Sequence, residues 1–416
     1  MIKLHKYAFA DLYDISSGIS STKEQAGHGA PFVSFSTVFN NYFLPGELPD
    51  LMDTSAVDQE KCSVKKGDIL ITRTSETVDE LAMSCVVLND YPKATFSGFV
   101  KRLRPKKTGI AYDKYMAFFL RSEYFRKVIN AKTIMTLRAS FNEDIFSFLD
   151  LYLPDYEEQV KIGDFLYNIE KKIQCNRNIN DNLQHQLKLM YDYWFTQFDF
   201  PDENGKPYRS SGGDMVWCDK LKRNIPKNWT HGMLKDILVK LTDGISSDDK
   251  MEYRYTPIDT LTSYQISFYQ TGNQDDANSS LIRYKKYTIL FGAMRPYFHR
   301  VCIAPFDGIT RTTVFTLQEK YEDELGYAYE TINQDYVVNY ATAHHVGTQQ
   351  PYAEWENNLD ECPIPLPPHH IRAKYSIIAK PIIEQALTLC LENERLTNLR
   401  DWLMPMLMNG QATISD

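Results

Sequence analysis

Two stretches of the chain carry side chains suited to reading the edges of nucleic-acid bases. Arg73-Thr74-Ser75 follows a β-rich run at 68–72, and Arg295, with Arg300 close behind it, follows the matching run in the second half. Arg138 and the pair Gln349-Gln350 stand just ahead of a closing segment in each half. Arginine pairs with guanine, and glutamine with adenine, through bidentate hydrogen bonds in a major groove. The run Lys101-Arg102-Leu103-Arg104-Pro105-Lys106-Lys107 would offer its charges to phosphates along one edge. The same residue types also make ordinary solvated surface.

Catalytic signatures are missing. There is no Walker-type phosphate loop, no Gly-x-Gly-x-x-Gly, no His-Glu-x-x-His and no Gly-x-Ser-x-Gly. No Asn/Asp-Pro-Pro-Tyr motif of an amino-methyltransferase appears. The adjacent pairs His344-His345 and His369-His370 lack the spacing of metal ligands on one helical face, so no metal site is expected. Glu170-x-Lys172 superficially fits a nuclease pattern but falls inside a helical stretch. The chain reads as a binder with no catalytic residues of its own.

The elements that would position these residues occur twice. Gly18-Ile19-Ser20-Ser21 recurs as Gly244-Ile245-Ser246-Ser247, Lys65-Lys66-Gly67-Asp68-Ile69-Leu70 as Lys285-Lys286-Tyr287-Thr288-Ile289-Leu290, and Leu153-Pro154 as Leu366-Pro367. The echoes keep their order, which is the mark of a diverged internal duplication. In each half, short runs rich in Val, Ile, Thr and Phe (68–72, 85–88, 287–291, 312–317) predict strands. Apolar residues at helical spacing predict a helix over 112–129.

Each half then ends in a long heptad-like pattern. The first runs through Ile162, Leu166, Ile169, Ile173, Leu183, Leu187, Met190 and Trp194, interrupted by Asn176 and Asn180. The second runs through Ile371, Tyr375, Ile378, Ile382, Leu389, Leu396, Leu399, Leu403 and Met406, interrupted by Gln385 and Glu392. Each helix would be about 50 to 60 Å long at ~1.5 Å per residue. Two such stripes in one chain bury each other most simply as an antiparallel pair, with Asn176, Asn180 and Gln385 as candidates for setting the register. The expected division is a module at 1–153, a helix at 154–198, a linker at 199–213, a module at 214–366 and a helix at 367–410.

Composition bounds the partners. With 43% hydrophobic and 13% aromatic residues, the chain is too apolar to be disordered. The net charge of -8 argues against coating nucleic acid by bulk charge. Most of that excess falls in the second module, while the first is near neutral. The seven cysteines, with no Cys-x-x-Cys among them, point away from disulfides and zinc ribbons. The apolar run near Tyr115–Leu120 is far short of the ~20 residues of a membrane span, and no signal core follows Met1, so a cytoplasmic protein without a membrane partner is expected.

Several signatures together resemble the specificity subunit of type I restriction-modification systems (HsdS). Lys66-Gly67-Asp68-Ile69-Leu70 looks like that family's Gly-Asp strand, and Leu153-Pro154 with Glu158-Gln159-x-Lys161-Ile162 looks like its helix start. Tyr193-Trp194-Phe195 and the segment Phe200-Pro201-Asp202-Glu203-Asn204-Gly205-Lys206-Pro207-Tyr208 look like its join between halves, and Gly347-Thr348-Gln349-Gln350 with Pro363-Ile364-Pro365-Leu366-Pro367-Pro368 like its module ending. The second copy departs from the pattern, with Tyr287-Thr288 in place of Gly-Asp and His369-His370-Ile371-Arg372 lacking Glu-Gln.

The resemblance implies an α+β chain: two α/β target recognition domains joined by two long helices in an antiparallel coiled coil, with pseudo-twofold duplication. Each domain would read one half of a split site in double-stranded DNA. The DNA-contacting candidates are Arg73, Thr74, Lys101, Arg102, Arg104, Lys106, Lys107, Arg138, Arg295, Arg300, Gln349 and Gln350. The resemblance further implies two methyltransferase subunits on the helices, and restriction subunits beyond them. S-adenosylmethionine, ATP and Mg would belong to those partners, and this chain would hold no cofactor. The rival reading is a coiled-coil scaffold whose modules bind protein or carbohydrate, which the acidic net charge favours.

Overall fold

The computed structural model describes residues 3–75, 80–132, 139–141, 143–246, 252–278, 280–347 and 349–414. The chain divides into two units, Met1–Lys171 with Thr397–Asp416, and Lys172–Leu396.

In the first unit, β1 (Leu4–Ala8) enters against β6 (Asp150–Pro154), so the module's two ends lie side by side. Its main sheet is antiparallel, in the order β2 (Tyr13–Ser17), β5 (Val100–Pro105), β3 (Ile69–Thr72) and β4 (Ser84–Val86). Ile69, Leu70, Ile71 and Thr72 of β3 are buried, so both faces are covered, which suits a central strand. A smaller sheet joins Asp50–Met52, Ala26–Val33 and Thr95–Phe96.

The single helix expected over 112–129 is two helices, α1 (Asp113–Phe119) and α2 (Glu123–Lys132). Ser122 makes the break: its Oγ donates to Phe119 O at 2.6 Å and accepts from Phe125 N at 3.3 Å, which caps the second helix. Tyr115, Phe118, Phe119 and Phe125 are all buried beneath the sheet. Helix α3 (Tyr156–Tyr191) follows β6.

The second unit repeats the plan. Strand β7 (Thr230–Met233) pairs with β12 (Pro363–Leu366), and the main sheet runs β8 (Leu238–Lys240), β11 (Val314–Glu319), β9 (Ile289–Gly292), β10 (Val301–Ile303). Register matches as well as order. Leu103 stands opposite Ile69 in one unit, as Leu317 stands opposite Ile289 in the other. Phe9 N donates to Leu149 O in the first, as Leu234 N donates to Cys362 O in the second. Helices α4 (Leu325–Ile332) and α5 (Asp335–Ala343) precede α6 (His369–Met408).

The long helices form no unit of their own. Leu187 and Tyr191 of α3 and Trp194 in the turn just past it, with Ile371, Tyr375 and Ile383 of α6, complete the core of the second unit. Ile162, Leu166, Leu407 and Met408 do the same in the first. Within the second unit α3 and α6 run antiparallel, since residue 176 meets 393, residue 180 meets 386 and residue 187 meets 375.

The buried face of α6 differs from the seam expected above. Ile378, Leu399 and Gln385 are exposed, whereas Ala379, Ile383, Ala386, Leu387, Cys390 and Asn393 are buried. The cause is close packing by small residues. A Cβ on Gly326 of α4 would stand 2.5 Å from the Ala379 Cβ, so the short helix sits directly on that position. Alanine carries little weight in an apolar pattern, yet here it marks the contact face.

The segment 199–213 is packed rather than a free linker. Phe200 stacks on Tyr208 and Trp229, and the Asp199 carboxylate accepts from Ser210 N at 2.7 Å and Ser210 Oγ at 2.6 Å. All seven cysteines are free thiols, and burial pushes those of Cys85, Cys362 and Cys390 up to about 12. Among the described residues, no helix is long and apolar enough to cross a membrane.

Candidate nucleic-acid interface

The turn that launches the central strand is the same in both units. Lys65 N donates to Asp68 Oδ2 at 2.8 Å, Asp68 N returns to Lys65 O at 3.0 Å, and Lys66 N donates to Asp90 Oδ1 at 3.0 Å. In the second unit Lys285 N donates to Thr288 Oγ1 at 3.2 Å, Thr288 N to Lys285 O at 3.0 Å, and Lys286 N to Asp307 Oδ1 at 2.7 Å. Gly67 has φ +87° and Tyr287 φ +73°, so the left-handed turn persists without its glycine. The Gly-Asp signature therefore builds the strand start.

The basic run lies largely inside the fold, which corrects its reading as a phosphate-contacting edge. Lys101 and Arg102 are buried. Lys101 Nζ donates to Ser17 Oγ at 2.8 Å, and Arg102 Nη1 donates to Ser63 O at 2.5 Å. Arg104 is paired with Asp68, at 2.7 Å for both Nε–Oδ1 and Nη2–Oδ2. The physical reason is position: β5 is an interior strand, its two edges paired with β2 and β3, and its consecutive residues Val100 to Leu103 are buried on both faces of the sheet. Only Lys106 and Lys107, past the strand end, are exposed, and Lys106 Nζ already donates to Ala10 O at 2.8 Å.

The strand ends behave differently. Arg73 N donates to Phe99 O at 2.8 Å, Arg73 O accepts from Phe141 N at 2.7 Å, and Thr74 pairs with Ser140. In the second unit Ala293 N donates to Thr313 O at 2.9 Å, Ala293 O accepts from Ala353 N at 2.8 Å, and Met294 bridges Tyr352. Ala293 is thus the counterpart of Arg73. Arg295, whose N donates to Pro351 O at 2.7 Å, is the counterpart of Ser75, which pairs with Ala139.

Arg73 and Arg295 are both exposed, and Thr74 is half-buried. Arg295 has φ +51°, a conformation costly for a side-chain-bearing residue. Its bond to Pro351 places it beside Gln349 and Gln350, both exposed. Tyr297 and Phe298 follow it onto the surface, as Phe99 is exposed opposite Arg73. Sequence reasoning missed these aromatics; adjacency to the strand-end arginines was the available signal.

Arg300 is not part of this edge. Its Nη1 meets Asp259 Oδ1 at 3.1 Å, and its guanidinium lies over Phe298, 5.1 Å from the ring centre, so it supports Phe298 from beneath. Arg138 lies outside the described residues.

At the helix pair, Asn176 Nδ2 donates to Asn393 Oδ1 at 2.9 Å and to Glu392 Oε2 at 2.7 Å, while Asn393 Nδ2 reaches Ile173 O at 3.3 Å. Asn180 Nδ2 reaches Ala386 O at 3.4 Å. Gln385 is exposed and makes no cross-helix contact of this kind; Asn393 holds the place expected for it.

Residues 4–185 match the family described as the Type I restriction modification DNA specificity domain. The chain is 30% identical to the HindI specificity subunit of Haemophilus influenzae over 193 residues, an alignment spanning 45% of this chain and 40% of that relative. It is 21% identical to the MjaIX specificity subunit of Methanocaldococcus jannaschii over 98% of this chain and 93% of the relative. The fold is similar to that of a type I restriction-modification S subunit from M. genitalium, with a TM-score of 0.52 at 14% identity, covering 98% of this chain and 96% of that one.

Proposed function

We propose that this chain, a member of the type I restriction-modification specificity-subunit family, supplies the DNA address of its complex, each unit reading one half of a bipartite site. One observation carries the reading. The same strand-end hydrogen bonds present Arg73 in the first unit and the edge of Arg295, Gln349 and Gln350 in the second. Side chains that pair with guanine and adenine thus stand on the same strand-end edge in both units, although Arg295 lies two residues beyond the position that matches Arg73.

The two halves are diverged copies of one ancestral half, a reading supported by their shared sheet order and strand-start turn. The long helices act as a coiled-coil spacer. At 36 and 40 residues, they are long enough at ~1.5 Å per residue to span roughly one and a half turns of B-DNA. Two methyltransferase subunits dock on them, bringing S-adenosylmethionine to target adenines flipped from the duplex, and restriction subunits bring ATP and Mg. This chain contributes no catalytic residue, and it works in the cytoplasm with its partners.

The test is a gel-shift of the chain with its methyltransferase subunits, using duplexes that carry both half-sites, either one or neither. Full affinity should need both halves. Equal binding to all four duplexes would leave the scaffold reading standing.

A further inference from the structure

We propose that Asp323, Glu324 and His369 form a binding site for a first-row divalent cation, with zinc the ion that suits the donors best. His369 opens α6, and Asp323-Glu324 lead into α4, so the site ties the start of one helix to the start of the other within the second unit.

Asp323 Oδ1 lies 3.2 Å from His369 Nε2, Glu324 Oε1 lies 3.6 Å from the same nitrogen, and all three atoms fall within 4.8 Å of one another. Donors about 2.0 to 2.1 Å from a tetrahedral zinc stand roughly 3.3 Å apart. The three atoms are therefore near the spacing that one ion would impose.

A second observation points to a ligand. Glu324 is 0% exposed, yet its Oε1 has no hydrogen-bond partner, and that oxygen is the one aimed at His369. A buried carboxylate oxygen left unpaired is costly, and an ion would satisfy it. The other oxygen, Oε2, accepts from Arg372 Nη1 at 2.9 Å, the kind of outer hydrogen bond that orients a ligating carboxylate. The Tyr321 ring meets His369 edge-on at 5.1 Å and steadies the imidazole.

The donor set discriminates among ions. Calcium takes six to eight oxygens and magnesium keeps an octahedral shell, whereas one imidazole and two carboxylates suit zinc with water in the fourth place. Asp323 and His369 are half exposed, so an ion can enter and a water can complete the shell.

The experiment uses the full-length chain, stripped with chelator and dialysed against zinc, with bound metal counted by mass spectrometry and affinity measured against a chromophoric chelator. One zinc per chain is expected. Asp323→Asn and His369→Gln should each weaken it by about tenfold or more, and His370→Gln should leave it unchanged. Both altered positions are half exposed, and circular dichroism checks that the variants fold. A chain that takes up no zinc overturns the site, leaving a histidine–carboxylate ion pair in its place. So does a zinc affinity that Asp323→Asn and His369→Gln leave unchanged.

Discussion

Asp68 accepts both arms of the Arg104 guanidinium, at 2.7 Å each, while its Oδ2 also caps the strand-start turn by accepting from Lys65 N. At the same places in the second unit stand Thr288, which caps the turn with a neutral hydroxyl, and Gln318. The charged pair and the neutral hydroxyl are alternative solutions to one problem: a buried turn acceptor needs a partner unless it carries no charge.

Arg104→Gln alone should lower the stability of the first unit by about 2 to 3 kcal/mol, since it leaves the 1% exposed Asp68 carboxylate without its cation. Arg104 is itself about a third exposed, which keeps the loss below that of a fully buried pair. The double variant Asp68→Thr, Arg104→Gln should recover most of that loss. Urea denaturation of both proteins measures it, and a double variant less stable than the single one would contradict the equivalence.

Glu330 is fully buried, and neither carboxylate oxygen has a hydrogen-bond partner. Burial pushes its carboxyl up to about 8, with Asp192 adding to the shift and Lys188 opposing it. A folded-state value above the unfolded one means that the native state holds a proton the unfolded state has released. Stability of the second unit should therefore fall as pH rises from about 4.5 to about 8, by an amount on the order of a few kcal/mol, and level off above that. Glu330→Gln should flatten that slope, as read from denaturation midpoints at pH 5 and pH 8. A slope unchanged in the variant would place the buried proton elsewhere.

Asn176 and Asn393 bond to each other across the helix pair. Replacing either by Leu should cost about 1 to 3 kcal/mol, by stranding the other amide. Replacing both should cost far less, or stabilise, because a matched apolar layer removes the polar pair altogether. A double-mutant cycle measures the coupling, and additive losses would mean that the two amides do not act together.

Much of this architecture was legible in the chain. Strand runs, the apolar face of the first helix through Ile162, Leu166, Ile173 and Leu187, and Asn176 as a cross-helix contact all follow from periodicity. The α6 face was misread because alanines at 379 and 386, too small to register in an apolar pattern, set its packing. The basic run was misread because charge density says nothing of sheet order, and β5 is an interior strand. Arg295 was matched to Arg73 by strand position, whereas hydrogen-bond register matches it to Ser75. His369 looked inert beside His370, since its carboxylate neighbours are distant in sequence.

Arg295→Ala and Gln349→Ala should each relax base preference at one half-site by about 1 to 3 kcal/mol per lost bidentate contact, roughly tenfold to a hundredfold. The other half-site should keep its preference, and Arg73→Ala should show the reverse pattern. Binding selections on randomised half-sites read both preferences at once. A uniform loss across all bases would assign these residues to phosphate contacts instead.

The central claim is that each unit reads its own half of the DNA site, and methylome sequencing tests it most directly. Residues 1–153 are replaced by the corresponding module of another specificity subunit, and the chain is expressed with its methyltransferase partners. The account predicts methylation at a new first half-site, with the second half-site and the spacer retained. A change in both halves, or in neither, would contradict it.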